Sequence, residues 1–173
     1  MIEPVDIYNA QKQLTGKVAD RMNMVLDEGE FMLIVLALIQ DAEGRFLVTQ
    51  RSLDKRWGAG WWEVTGGGAR AGETSLEALK REVAEETGLT QVYDTHVEPE
   101  LLYSYCNSEG AGGDNYFVDI YRVKFNFSPS DISLQESEAI DFRLLTWDEI
   151  SALNEQGIFL HYARIARALG KIE

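Results

Sequence analysis

Cysteine is almost missing from this chain. Cys106 is the only one in 173 residues, so no intrachain disulfide can form, which suits a reducing compartment such as the cytoplasm. Histidine is nearly as scarce. His96 and His161 have no metal-ligand spacing and read as structural; Cys106, placed in a strand, reads as a small buried residue. Positive charge is also short: 16 Lys and Arg stand against 29 Asp and Glu, for a net charge of −13. Such a chain is a poor general partner for nucleic acid or an anionic membrane. A phosphorylated small molecule still fits, provided metal ions bridge the like charges. The longest apolar run, residues 31–39, is far too short to span a bilayer. The N-terminal stretch MIEPVDIYNAQKQ lacks a basic start followed by an apolar run, so no signal peptide is expected. No repeat of solenoid period is present.

What remains is ordinary for a soluble globular protein, with 45% hydrophobic and 26% charged residues. The length fits one domain, divided here as an N-terminal extension over residues 1–30 and a main domain over 31–173. In the extension, Val5, Ile7 and Leu14 suggest two short extended pieces around a turn near Asn9 and Ala10. FMLIVLALI at 31–39 reads as a strand buried on both faces. Asp41-Ala42-Glu43-Gly44 is a hairpin turn, followed by a strand over 45–51. A charged loop ends in Trp57-Gly58-Ala59-Gly60. A short strand over 61–65 then runs into Gly66-Gly67-Gly68, where a backbone can approach a ligand closely.

A helix is expected from Ser75 to Thr87. Thr74 and Glu77 form a capping box at its start and Gly88 ends it. At about 100° per residue, Leu76, Leu79 and Val83 share a core face. Glu82, Glu85 and Glu86 share a neighbouring arc, kept open by Ala78. Three like charges on one arc repel, and a divalent cation would give them a purpose. Beyond the helix, strands are expected over 92–97, 101–106, 116–127 and 140–145. Thr146 and Glu149 form a second capping box, Gly157 breaks that helix, and a final helix runs over 158–169. The order of elements suggests an α/β domain, a mixed sheet in a three-layer α/β/α sandwich.

Gly67, Glu73, Arg81-Glu82-Val83-Ala84-Glu85-Glu86-Thr87-Gly88-Leu89 is similar to the Nudix box, G-x5-E-x7-R-E-U-x-E-E-x-G-U, at all seven fixed and both aliphatic positions. The resemblance implies a Nudix-type fold and hydrolysis of the pyrophosphate bond of a nucleoside diphosphate linked to a group X. It implies Mg²⁺ or Mn²⁺, held by Glu85, Glu86 and the Gly66 carbonyl. Glu82 would be a further ligand or the residue that orients or deprotonates water. Arg81 would hold a glutamate in place; a plain i,i+4 pair with Glu77 is the bland alternative. Glu73 is a weaker candidate for metal or structural support. Members of the family often add a catalytic glutamate from a later loop, for which Glu136 and Glu138 qualify, Glu138 better. For phosphate, Arg51, Lys55, Arg56 and Arg70 flank the box, with Arg51 and Lys55 foremost. Trp57, Trp61, Trp62, Tyr103, Tyr105 and Phe117 offer stacking surfaces, most of them expected to be packing. Dimers are common in the family.

The extension and GRFLVTQRSLDKRW also resemble the Nudix branch that includes isopentenyl-diphosphate isomerase. That chemistry needs a cysteine where this chain has Gly66, and histidines at Val25, Met32 and Gly68. All four are missing, which argues for hydrolysis rather than isomerisation. A non-catalytic binding module would be signalled by lost box glutamates, and none is lost.

Overall fold

The computed structural model describes residues 3–172. Two antiparallel strands come first, β1 (Pro4–Tyr8) and β2 (Leu14–Asp20), which form a sheet of their own. The main sheet has seven strands. They are β3 (Met32–Gln40), β4 (Phe46–Arg51), β5 (Trp62–Glu63), β6 (Thr65–Gly68), β7 (Glu100–Asn107), β8 (Tyr116–Lys124) and β9 (Ala139–Leu145). The helices are α1 (Ser75–Thr87), α2 (Trp147–Glu155) and α3 (Tyr162–Ala168).

The sheet is mixed because β3 and β8 run parallel from Met32–Tyr116 to Gln40–Lys124, while the other pairings are antiparallel. β3 touches β4 only at Gln40–Phe46, beside their turn, and the strands then splay. β6 pairs with β3 instead, from Ala37–Thr65 to Ile34–Gly68. The glycines at 66–68 are therefore strand residues, and the turn before α1 falls at Gly72, whose φ is 84°.

The alternation of β3 explains both layers. Leu33, Val35, Ala37 and Ile39 pack with Leu79 and Val83 of α1. Leu36 and Leu38 face the other way, onto Ile150 and Leu153 of α2 and Ile165 of α3. A strand covered on both sides must be apolar at every position, which is what the run 31–39 encodes. The three-layer α/β/α arrangement follows. The N-terminal hairpin joins the main sheet through an antiparallel bridge between Tyr8 and Phe31. Its turn residue Lys12, at a φ of 59°, pairs with the buried Asp119 of β8. Asp119 also accepts hydrogen bonds from Ser75 and Ser104, each 2.6 Å long. One buried carboxylate thus ties the hairpin, the start of α1 and the sheet together, its charge matched and its oxygens satisfied.

Several local expectations fail for tertiary reasons. Residues 92–97 form no strand: Thr90–Tyr93 is a 3-10 turn with Val92 buried against the α1 layer. Leu76 sits in the first turn and is 39% exposed. Ala78 takes its place in the core and is fully buried. The final helix starts only at Tyr162, because residues 158–160 pair back onto β5, with Leu160 N–H donating to the Trp62 carbonyl at 2.9 Å. Cys106 is exposed, on the edge strand β7.

His161 sets a pH limit on this packing. It opens α3 at a φ of 60° and stacks near Trp57, with ring centroids 5.9 Å apart. Burial, reinforced by Arg164 and Arg51, pushes its pKa down to about 4 from 6.5. The unfolded chain therefore takes up this proton first. The stability contributed is complete above about pH 6.5 and is lost as pH falls through about 4. At pH 5 the loss is on the order of 2 kcal/mol. Asparagine tolerates the left-handed backbone, so His161→Asn should remove most of this acid sensitivity. Urea unfolding of both proteins at pH 7.5 and pH 5 measures it; an equal pH dependence would contradict the assignment.

Candidate active site

α1 positions the site. Its first turn is held by the reciprocal box, Glu77 N–H to Thr74 Oγ1 at 3.3 Å and Thr74 N–H to Glu77 Oε2 at 2.8 Å. Its end is closed by Gly88 at a φ of 73°, donating to the Ala84 carbonyl. With Ala78, Leu79 and Val83 packed on the sheet, the next arc is pressed against β6. Glycine is needed there for space. A Cβ at Gly67 would lie 2.5 Å from Glu82 Oε1, and one at Gly66 would lie 2.3 Å from the Val35 carbonyl oxygen. The glycines let the strand backbone come within reach of carboxylates: Gly66 N–H donates to Glu86 Oε2 at 3.3 Å.

Arg81 organises the other glutamates. Its Nε and Nη2 grip Glu73 at 2.6 and 2.9 Å, a fork that lysine cannot make. Nη1 donates to Glu82 at 2.7 Å and to Glu85 at 3.3 Å, and Nη2 also reaches the Gly68 carbonyl at 3.0 Å. It makes no contact with Glu77, whose carboxylate is spent on the cap. Burial works against ionised Glu73, but the hydrogen bonds from Arg81 and the Arg70 N–H hold its pKa below the usual carboxylate range. Burial raises the pKa of Glu82 in spite of Arg81. Glu86 is raised furthest: desolvation leads, Glu82, Glu63 and Glu138 add like charge, and a lone backbone N–H opposes them. That is a carboxylate short of a cation.

The carboxylates line an open cleft of about 1120 Å³. It brings together Gly66, Arg81, Glu82, Glu85, Glu86 and Glu138 from the expected set, and also Arg51, Lys55 and Arg70. Glu136 is exposed outside it. The cations expected for phosphate are already engaged: Arg51 with Glu63 at 2.7 Å, Lys55 with Glu138, and Arg70 with Glu85 at 3.0 Å. Trp62 and Phe117 are core residues, whereas Trp57 is 60% exposed, beside Arg51. Tyr105 stacks on Tyr103 and lies under Arg164, and burial raises its hydroxyl to about 12. Three contributors carry no signal in residue order. Glu63, half-buried and shifted upward by that burial, faces Arg51 across two strands that one short β-segment gave no reason to pair. Arg21 reaches the cleft from the hairpin, as does Glu3.

Among the described residues no three His, Cys, Asp or Glu side chains converge on a metal-sized site as they stand. Glu82 and Glu85 are drawn toward arginines instead. The donor set nonetheless suits a hard divalent ion, being all oxygen and including the charge-starved Glu86.

A carboxylate-rich helix face laid on a glycine strand, open to a cleft with arginines at its rim, defines a hydrolase of phosphate anhydrides. The comparisons give the family. Residues 30–167 match the NUDIX domain model. The chain is 32% identical over 163 residues to an uncharacterized Nudix hydrolase of Listeria monocytogenes, covering 93% of this chain and 90% of that protein. This chain belongs to the Nudix family of hydrolases. A shorter match, 41% identical over 71 residues, joins it to the human 8-oxo-dGDP phosphatase, covering 41% of this chain and 20% of that protein. Among solved structures, a Deinococcus radiodurans protein superposes with a TM-score of 0.70 at 19% identity, over 90% of this chain and 91% of the other. The NUDIX domain of Shewanella oneidensis NrtR, complexed with ADP ribose, gives 0.62 at 15% identity, over 88% and 92%. Members of this family generally use divalent metals. No helix among the described residues is long and apolar enough to cross a membrane.

Proposed function

We propose that the chain hydrolyses the pyrophosphate bond of a nucleoside diphosphate linked to X, using Mg²⁺ or Mn²⁺. The observation that carries this reading is the half-buried, cation-starved Glu86, set against the Gly66 backbone in a cleft shared with Glu82, Glu85 and Arg81. Glu85, Glu86 and the Gly66 carbonyl would hold the ion, with Glu82 as a further ligand or as the group that orients and deprotonates water. The ion supplies Lewis-acid stabilisation of the phosphoryl charge and acidifies water. Arg81 keeps Glu73 and Glu82 in place. Glu138, on the far rim with Lys55, is the candidate second base. Arg51, Lys55 and Arg70 would exchange their carboxylate partners for substrate phosphate, an arginine fork suiting both.

Two features support hydrolysis over the isomerase chemistry. The place of that enzyme's cysteine is Gly66, where any Cβ meets the Val35 carbonyl at 2.3 Å, so the side chain cannot be restored without moving the sheet. The named relatives with activities act on nucleoside phosphates: an 8-oxo-dGDP phosphatase and a nucleoside triphosphatase, the latter 42% identical over 55 residues. The test is a screen of nucleoside triphosphates, nucleotide sugars, dinucleotides and non-nucleotide diphosphates for Mg²⁺-dependent phosphate, pyrophosphate or nucleotide release. Glu85→Gln should lower the rate of the best substrate by on the order of 10²-fold or more, because it removes charge stabilisation worth several kcal/mol. Activity that survives both Glu85→Gln and Glu86→Gln would overturn the metal assignment.

A further inference from the structure

The hairpin of β1 and β2 sends one side chain into the cleft. Arg21 follows β2 directly and lies outside residues 30–167, the span matched by the family model. It nevertheless lines the same cleft as Glu82, Glu85 and Glu86. Its place is built. The Arg21 N–H donates to the Glu3 carbonyl at 2.9 Å, and Nη1 donates to Glu3 Oε1 at 2.8 Å. Facing it is Gly68, where a Cβ would stand 2.9 Å from Nη1 and 3.0 Å from the guanidinium carbon. Glycine at 68 therefore does more than complete β6: it leaves room for a flat guanidinium. The charge of Arg21 acts on Glu82 across that glycine.

The other cations of the cleft are paired too, Arg51 with Glu63, Lys55 with Glu138, Arg70 with Glu85 and Arg81 with Glu73. Arg21 pairs with Glu3, which also lines the cleft, through one of five N–H donors, and its side chain is 33% exposed. A planar fork with donors to spare, at the mouth of an acidic cleft, is matched to phosphate oxygens.

We propose that Arg21 is a substrate-binding residue that grips a phosphate of the diphosphate, so that the N-terminal hairpin forms part of the active site. This inference rests on the reading of the cleft as a diphosphate site. Inorganic pyrophosphate is the probe, titrated with Mg²⁺ into the full chain by calorimetry. Arg21→Gln should weaken its binding about 10- to 100-fold, the value of a charge-assisted hydrogen bond or two. Arg21→Lys, which keeps the charge but loses the fork, should weaken it about 3- to 10-fold. Lys17→Gln, which removes the same charge from the hairpin at its pair with Glu30, should leave it unchanged. On the best diphosphate substrate, Arg21→Gln should raise KM by the larger factor.

Pyrophosphate binding by Arg21→Gln equal to the unaltered protein would overturn the proposal. So would an equal loss in Lys17→Gln, which would reduce the effect to overall charge, or no binding by the unaltered chain. If Arg21→Gln does not fold, Arg21→Lys carries the test, and undiminished affinity overturns it. A chain that binds pyrophosphate through Arg21 yet turns over no diphosphate would sink the hydrolytic reading and leave this one standing.

Discussion

Replacing Glu86 with glutamine is expected to stabilise the metal-free protein while abolishing hydrolysis. The carboxylate is half-buried, faces Glu82, Glu63 and Glu138, and receives one 3.3 Å N–H bond from Gly66. Ionising it in the folded state is costly. Its pKa is raised above the ordinary 4.5, so it favours folding below that value. That contribution is lost as pH rises through the folded-state pKa. An amide of the same shape carries no such cost. Glu86→Gln should therefore melt a few degrees higher than the unaltered chain without metal, at about 2–4 °C per kcal/mol for a chain of this size. The gain should be larger at pH 8 than at pH 5. With Mg²⁺ the order reverses. An ion bound only by the folded state raises the melting temperature of the unaltered chain, and the variant loses that response together with on the order of 10²–10³-fold in rate. Melting scans with and without Mg²⁺ at both pH values decide this. A variant less stable than the unaltered protein in chelator would show that Glu86 is a structural carboxylate.

Loss of Arg81 is expected to damage both stability and rate. Its guanidinium holds Glu73 with two bonds, Glu82 with a third and the Gly68 carbonyl with a fourth, with little of the side chain exposed. Arg81→Gln leaves the buried Glu82 and the half-buried Glu73 without their counter-charge. Breaking such a pair costs about 3 kcal/mol or more, a fall of roughly 6–12 °C in melting temperature. Arg81→Lys should recover little, since one ammonium cannot serve four acceptors in a plane. Activity should fall about 10- to 100-fold even well below the melting temperature, the usual result of freeing residues that orient metal ligands. Mg²⁺ affinity measured alongside separates the two effects. A stable Arg81→Gln with unaltered Mg²⁺ affinity would remove Arg81 from the positioning role.

The two predictions have opposite signs on stability because the same arc contains one carboxylate too many for its arginine. Arg81 satisfies Glu73 and Glu82 and touches Glu85, whereas Glu86 has the Gly66 N–H and, among the described residues, no cation. Stability and function are in conflict at that position, which is common where a site must await a ligand.

Much of this was legible in residue order. The box Thr74–Glu77, the apolar pair Leu79 and Val83 and the terminating Gly88 specify α1 locally, and local signals survive tertiary context. The both-sided apolar run of β3 announced a sheet covered by helices on each face. Spacing placed Glu82, Glu85 and Glu86 on one arc, because helical geometry depends on nothing outside the helix. What spacing could not supply was the direction of that arc. Leu76 is exposed and Ala78 is fully buried, and the arc presses Glu82 against Gly67 and Glu86 against Gly66 rather than into water. The strand expected at 92–97 also failed: Val92 and Val97 are buried without one, around a 3-10 turn. Nor could order along the chain reveal that Lys55 meets Glu138, that Arg51 meets Glu63, or that Arg21 lies over Gly68. Those contacts join elements far apart in sequence, and only the packing of the sheet decides them. Residue order alone marked the glutamates and arginines proposed for the chemistry, because helical spacing is local; the tertiary structure decided which of them are buried, which are already paired, and which one lacks its counter-charge.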